Sequence, residues 1–203
     1  DGTGGKLKGS NGLRSGRQKG AESTVDQFNF SSKVDYYGIR GLRLGLSGYF
    51  GRTQAADDQA GILGSTVGVS MVGVDARYRL RKFSARGQFI QASLSDSDQY
   101  NALTGRDLGK EISGYYLEAA YNLLPSSNIQ RLEGFVRYED YNTHAATAGA
   151  LAQNPAFHRK EWTTGLSYHL SPGSVFKVDY QSKSTAVSGS SYGQFNMGVG
   201  VWF

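Results

Sequence analysis

An all-β fold, an antiparallel transmembrane β-barrel, is predicted from composition, from alternation of apolar and polar residues, and from the order of the connections. The 203 residues include 28 Gly, 13 Tyr and 10 Phe but only 3 Pro, which favours many uninterrupted strands. The mean hydropathy is −0.44. No stretch approaches the roughly 18 consecutive apolar residues of a membrane-spanning helix, whereas a barrel strand needs only alternate residues facing lipid.

About nine segments alternate with a period of two, each close to the ~10 residues that a tilted membrane strand needs. The last segment is the clearest, because its apolar side chains fall on one face and Gln, Asn and Gly fall on the other. A soluble sandwich alternates in the same way, so the period alone does not choose a fold. The segments are 27–37, 42–51, 67–80, 83–94, 112–124, 131–141, 162–170, 175–183 and 191–203.

The connections between strands distinguish a membrane barrel from a soluble sandwich, because short turns and long polar loops alternate along the chain. Tight turns are predicted at Arg40-Gly41, at Arg81, after Pro125 and at 171–174. Outer-membrane barrels have short periplasmic turns and longer extracellular loops, which is the order seen here. The long polar loops are predicted at 52–66, 95–110 and 142–160, with a moderate one at 184–190.

The direction of the strands follows if the C-terminus is periplasmic in a bacterial outer membrane. Counting backwards, residues 1–26 form an extracellular, basic, glycine-rich loop, and residues 27–203 form the barrel strands. Complete single-chain bacterial barrels have an even number of strands. An odd number therefore predicts further strands in a larger barrel, and a missed strand near 5–9 is the alternative.

The charged residues of the strands are predicted to face the wet interior, because a charge facing lipid costs ~2–4 kcal/mol at the midplane. Basic side chains lining a pore favour anions. A network of paired charges that braces the wall is the alternative. The predicted lumen residues are Lys33, Asp35, Arg43, Asp75, Arg77, Arg79, Arg86, Glu118, Glu133, Arg137, Glu139, Lys177 and Asp179.

A basic stretch near the N-terminus contributes Arg14, Arg17 and Lys19 to a chain of net charge +5. These residues would recruit anions at the channel mouth, fold into the lumen or contact the phosphates of lipopolysaccharide. A solvated loop is an equal alternative.

Enzymatic function is not expected, because the three histidines, His144, His158 and His169, match no catalytic motif. The chain has no cysteine, which excludes disulfides and thiolate metal sites. Asp57-Asp58 is weak evidence for a site for a hard cation such as Ca²⁺, and an ordinary loop is the preferred interpretation. We therefore expect no cofactor and no metal.

Nucleic-acid binding is not expected either, since aromatic and basic residues do not interleave as in a stacking platform.

The terminal strand 195–203 resembles the terminal signature of outer-membrane proteins, which the barrel assembly machinery reads. Its signal positions are Phe195, Met197, Val199, Val201 and Phe203. Two further stretches are the basic stretch 12–20 and the pair of segments 114–122 and 135–139. Both resemble the phosphate-selective porin O/P-like family.

The resemblance covers nearly the whole chain and corresponds to the C-terminal half of such a porin. It implies a barrel of about sixteen strands, commonly a homotrimer, embedded in outer-membrane lipid and lipopolysaccharide. The implied function is passive diffusion of small hydrophilic solutes with a mild preference for phosphate-like anions. The alternative is a barrel that sheathes or anchors a partner protein, and an outer-membrane enzyme ranks below both.

Overall fold

The computed structural model describes residues 6–18, 25–55, 61–125 and 129–202. Nine antiparallel strands form one sheet within these residues, and each strand pairs with its neighbours in the sequence. The predicted all-β fold and number of strands are confirmed. The strands are β1 (Phe30–Tyr36), β2 (Leu42–Arg52), β3 (Gly68–Leu80), β4 (Phe83–Ser95), β5 (Glu111–Asn122), β6 (Arg131–Ala146), β7 (His158–Ser171), β8 (Ser174–Thr185) and β9 (Ser191–Val201).

Three strand ends differ from the prediction by three residues or more. β1 begins at Phe30 and not at residue 27. Before β1, the backbone N–H groups of Asp26 and Gln27 donate to the side-chain oxygen of Gln54, at 2.7 and 2.9 Å, and not to a neighbouring strand. β6 and β7 extend into the predicted loop 142–160, where Asn142 pairs with His158. Strand pairing therefore continues beyond the apolar part of these two strands.

The predicted loop 95–110 contains helix α1 (Ser97–Thr104). Gly105 ends the helix in the left-handed conformation, at φ 65°, and its N–H donates to the carbonyl of Asn101. Two single-turn 3₁₀ segments occur in the described part of the chain, at Arg14–Gly16 and Pro155–Phe157. No helix in the described residues is long and apolar enough to cross a membrane.

The short turn between β1 and β2 depends on Gly41. This residue has φ 79°, and a Cβ built on it would lie 2.4 Å from the carbonyl oxygen of Arg79. The backbone N–H of Arg79 donates to the Gly41 carbonyl at 2.8 Å. Glycine is therefore required by both conformation and close approach, and it joins the β1–β2 turn to the end of β3.

Cross-strand register divides the sheet into two faces. Residues directly opposite each other on neighbouring strands share a face, and one apolar row joins Val34, Leu46, Val74, Phe89 and Tyr115 across β1 to β5. These side chains are 40% to 66% exposed. An exposed, contiguous apolar surface of this kind marks contact with a membrane or with another protein. We call it the apolar face.

The apolar face ends in aromatic residues toward the loops. The rings of Tyr138 and Trp162 lie 4.7 Å apart, and those of Tyr115 and Tyr138 lie 6.0 Å apart. The next positions on the same face are Asp140 and Lys160, which pair in register. This change from aliphatic to aromatic to charged residues is typical of the interface between lipid and water.

Candidate pore-lining surface

The opposite face of the sheet carries the charged residues. Arg43, Arg77, Arg86, Glu118 and Arg137 stand directly opposite one another on β2 to β6. Every second residue of a strand lies on the same face. By this rule and the cross-strand register, all thirteen predicted lumen residues lie on this face. We call it the charged face; that it lines a pore stays a prediction.

The charged face is concave near the short turns. An open cavity of about 660 Å³ is lined by side chains as far apart in the sheet as Arg43 on β2 and Lys177 on β8. Residues six strands apart border one space only if the sheet curves toward that side. The apolar face is therefore the outer, convex one.

Ion pairs on β1 to β3 surround Asp75. Lys33 approaches its carboxylate at 3.0 Å, and Arg43 donates a hydrogen bond to it. Asp35 lies 3.6 Å from Lys33 and 3.8 Å from Arg43. Two acids and two bases thus neutralise each other across three strands.

A second network centres on Glu118. Arg86 donates to both carboxylate oxygens, at 2.8 and 3.0 Å, and Arg137 donates to one of them at 2.7 and 2.9 Å. Glu139 lies 3.8 Å from Arg137. The Glu118 side chain is only 13% exposed, whereas that of Arg86 is 39% exposed. The carboxylate is thus held between two cations on neighbouring strands, which joins β4, β5 and β6.

Nearer the turns, Glu133 lies 3.5 Å from Arg131 and 3.4 Å from His169. Asp179 accepts a hydrogen bond from Asn196 at 2.8 Å and forms no ion pair within the described residues. Nine of the thirteen predicted lumen residues thus take part in ion pairs. These ion pairs agree with the alternative of a bracing network, and within the described ranges the remaining four residues are not part of it.

Arg77, Arg79 and Lys177 have no ion-pair partner within the described residues. The Lys177 ammonium lies 4.5 Å from the centre of the Phe135 ring, a cation–π contact. All three border the concave cavity, which is also lined by Arg40, Arg43 and Arg86 but by only two carboxylates, Glu118 and Glu133. Positive charge therefore predominates on the cavity wall.

Further charged-face residues lie at the end of the predicted loop 142–160 and directly after it. Glu161 stands opposite Glu139 and accepts a hydrogen bond from Tyr141 at 2.9 Å. The Arg159 guanidinium lies 5.7 Å from the centre of the Tyr141 ring. Arg159 and Glu161 are not among the predicted lumen residues, although Arg159, Glu161 and Thr163 continue the period of two.

The N-terminal segment, residues 6–18, packs on the charged face toward the loops. Leu7 is 1% exposed and belongs to a buried cluster of Leu7, Val67, Val69, Leu94, Tyr100 and Leu108. Gly9 N–H donates to the Asp107 carboxylate at 2.9 Å, and the Arg159 guanidinium donates to the Ser10 carbonyl at 3.0 Å. The segment thus contacts both the α1–β5 connection and β7.

The predicted basic stretch lies on this segment. Arg14 and Arg17 are exposed, while the intervening Gly16 is buried. Lys19 and Phe203, which were also predicted site residues, lie outside the described residues, as do Asp57 and Asp58. The backbone of the stretch therefore contacts the charged face, while its two described arginines are exposed, and the Arg17 guanidinium donates to the Arg14 carbonyl at 3.2 Å.

Tyr100 holds the N-terminal segment in place. Its hydroxyl accepts the backbone N–H of Leu7 at 3.0 Å, and burial raises its pKa. We predict that Tyr100→Phe lowers the free energy of unfolding by about 1–3 kcal/mol, because it leaves a buried N–H without an acceptor. Limited proteolysis should cut residues 6–18 faster in this variant. Ser15→Ala, at an exposed position, is the matched control, and equal cleavage of the two variants would contradict the prediction.

The histidines belong to the strands and not to the predicted long loop. His144 lies in β6, is 1% exposed and packs edge-on against Phe157 with ring centres 4.7 Å apart. Its Nε2 is 2.5 Å from the Asp107 carbonyl, and its Nδ1 accepts the Asn154 N–H at 3.3 Å. His158 begins β7 and contacts Asp140 at 2.7 Å. No group of three or more potential metal ligands occurs within the described residues.

Comparisons with known proteins bear on the fold. No family model matches the chain. OmpT, an in-vitro folded outer membrane protein of Vibrio cholerae, superposes with a TM-score of 0.56 at 13% identity, over 87% of this chain and 56% of OmpT. The fold is that of an outer-membrane β-barrel. An uncharacterized protein of Aquifex aeolicus (strain VF5) is 25% identical over 187 residues, which are 87% of this chain and 42% of that protein. The chain thus spans about half the length of the proteins it matches.

Proposed function

We propose that the chain forms part of an outer-membrane porin, a passive diffusion channel for small hydrophilic solutes. The observation that carries the proposal is the separation of the two faces: thirteen charged residues share the concave face, and exposed apolar residues cover the convex one. Charges are tolerated in a barrel wall only where water reaches them. A wet interior therefore accounts for both faces.

A mild preference for anions, such as phosphate, follows from the charges that remain unpaired. Asp75 and Glu118 are each held by two bases, whereas Arg77 and Arg79 have no carboxylate partner among the described residues. Unpaired guanidinium groups on a narrow wall raise the local concentration of anions and lower their barrier to passage. Cations would meet a net positive wall at the cavity.

The proposed setting is a larger barrel, of about sixteen strands, in the bacterial outer membrane. Within the described residues β1 and β9 each pair on one side only, and a free strand edge is costly in lipid. Further strands would therefore pair with both edges. Phe195, Met197, Val199 and Val201 are 66% to 73% exposed on β9, which makes them available to lipid and to the barrel assembly machinery. A homotrimer and contacts with lipopolysaccharide belong to the same proposal.

Planar-bilayer recording of the full-length protein tests this function. We predict stepwise conductance and, in a salt gradient, a reversal potential of the sign for anions. Arg77→Gln combined with Arg79→Gln should move that potential toward zero, because it removes two unpaired cations. Arg106→Gln, at an exposed position after α1, should leave it unchanged. A protein that inserts without conductance would contradict the channel, and a cation-selective potential would contradict the anion preference.

A further inference from the structure

The cavity on the charged face has two chemically different walls. One wall carries the guanidinium groups of Arg77 and Arg79, and the neighbouring β1–β2 connection carries the exposed apolar groups of Tyr37 and Ile39. A path for hydrated inorganic ions alone would need no apolar wall. The pairing of cations with apolar surface in one concave space indicates a ligand that has both characters.

The guanidinium of Arg77 is the centre of the basic wall. It stands in register between Arg43 and Arg86, and like charges directly opposite each other are unfavourable. Asp75 compensates Arg43 and Glu118 compensates Arg86, so Arg77 is the member of the row that lacks an anion within the described residues. A bound anion would complete the alternation of charge along this row.

Two further groups lie beside Arg77 toward the turn. Arg79 is two residues along the same strand and therefore projects from the same face, roughly 7 Å away. Ser84 stands directly opposite Arg79 and also lines the cavity. Guanidinium groups bind carboxylates through paired, parallel hydrogen bonds. The site thus offers planar donors suited to a carboxylate.

The dimensions of the cavity favour a ligand larger than an inorganic anion. Its volume of about 660 Å³ falls within the ~300–1,000 Å³ typical of sites for small organic molecules. Tyr37 and Ile39 are 67% and 53% exposed. An apolar ligand body would thus meet an accessible apolar surface.

We infer that this cavity binds small organic carboxylates that carry an apolar or aromatic body, in preference to inorganic phosphate. The carboxylate would pair with Arg77 and Arg79, and the body would contact Tyr37 and Ile39. This inference rests on the proposed channel, because it names the class of solute that the channel passes. Binding in a channel is weak enough for the solute to leave, so affinity in the millimolar range is expected.

Equilibrium binding to the full-length protein in detergent tests the site directly. The ligands are benzoate, the neutral analogue benzamide, and inorganic phosphate, each followed by saturation-transfer NMR or calorimetry. We expect saturable binding of benzoate, at least about tenfold tighter than of benzamide, since hydrogen bonds to a charged group contribute this much. Arg77→Gln with Arg79→Gln should weaken benzoate about tenfold, while Arg106→Gln should not.

A second variant addresses the apolar wall. Tyr37→Leu keeps the position apolar but removes the ring, and it should weaken benzoate by several fold while leaving phosphate unchanged. A folded variant is recognised on denaturing gels by a band that migrates faster in the unheated sample than in the heated one. Equal loss for both anions would overturn the role of the ring.

The outcomes separate the site from the channel. Benzoate that binds no tighter than phosphate or benzamide, in a protein that conducts anions, overturns the site and leaves the channel intact. Benzoate binding that depends on Arg77 and Arg79, in a protein without conductance, supports the site and removes the channel. Block of the ionic current by benzoate, lost in the double variant, supports both.

Discussion

Leu166→Arg is expected to destabilise the folded barrel in lipid by about 2–4 kcal/mol, the cost of an arginine at the bilayer midplane. Leu166 lies on the apolar face, opposite Gly134 and Val178, and is 42% exposed. The neighbours two residues away on the same face, Thr164 and Tyr168, carry no charge. The arginine would therefore have no acidic neighbour along its strand to compensate it in hydrocarbon.

Ser167→Arg is the matched control, because it places the same side chain one residue away on the charged face. Ser167 stands opposite Glu133 and Lys177 and lines the cavity. We expect a change below about 1 kcal/mol, since the new charge is wet and has a carboxylate nearby. Urea titrations of both variants folded into lipid vesicles, followed by tryptophan fluorescence, measure the difference. Equal destabilisation would contradict the assignment of the two faces.

Glu118→Gln is expected to have the next largest effect, because it removes the carboxylate shared by Arg86 and Arg137. Loss of one partner of a fully buried ion pair costs ~3–5 kcal/mol. The Arg86 side chain is 39% exposed, so water compensates part of the loss, and we expect about 2–4 kcal/mol. The same change frees two cations on the charged face and should make the channel more selective for anions.

A double-mutant cycle separates these contributions. Arg86→Gln added to Glu118→Gln should restore about 1 kcal/mol relative to the single Glu118 variant, since one uncompensated cation is removed. Asp179→Gln is the control, because Asp179 accepts a hydrogen bond from Asn196 but forms no ion pair among the described residues. A loss of stability as large as that of Glu118→Gln would show that the effect is not specific to the network.

Alternation made the strands and their faces predictable. The cost of placing a charge in lipid restricts residues such as Asp75 and Arg77 to one side of β3, so the sequence of that strand already contains its orientation. The same reasoning did not predict the strand at 158–161, because strands that extend beyond the membrane no longer need an apolar face. His158 and Lys160 are polar residues on the outer face of β7, opposite Asn142 and Asp140. With polar residues on both faces, the sequence shows no apolar–polar alternation there.

The packing of the N-terminal segment could not be predicted. Leu7 and Leu13 are isolated apolar residues in a glycine-rich stretch and show neither a helical nor a strand period. Their position is set by partners that are distant in sequence: Leu7 is held by Tyr100 and Gly9 by Asp107. The unequal pairing of the charged residues was not predictable from composition either. Register gives Arg43 a carboxylate partner but provides none for Arg77 among the residues that the structure describes.

The central claim, that the charged face is wet and the apolar face meets lipid, is tested most directly by single cysteines along β8. The chain has no cysteine of its own, so each substitution gives an unmixed signal. In vesicles, Lys177→Cys and Asp179→Cys should react with a charged, water-soluble thiol reagent. Phe176→Cys and Val178→Cys should resist it, and a fluorophore attached there before reconstitution should be quenched by brominated lipid. Equal reaction at all four positions, or the reverse pattern, would contradict the account.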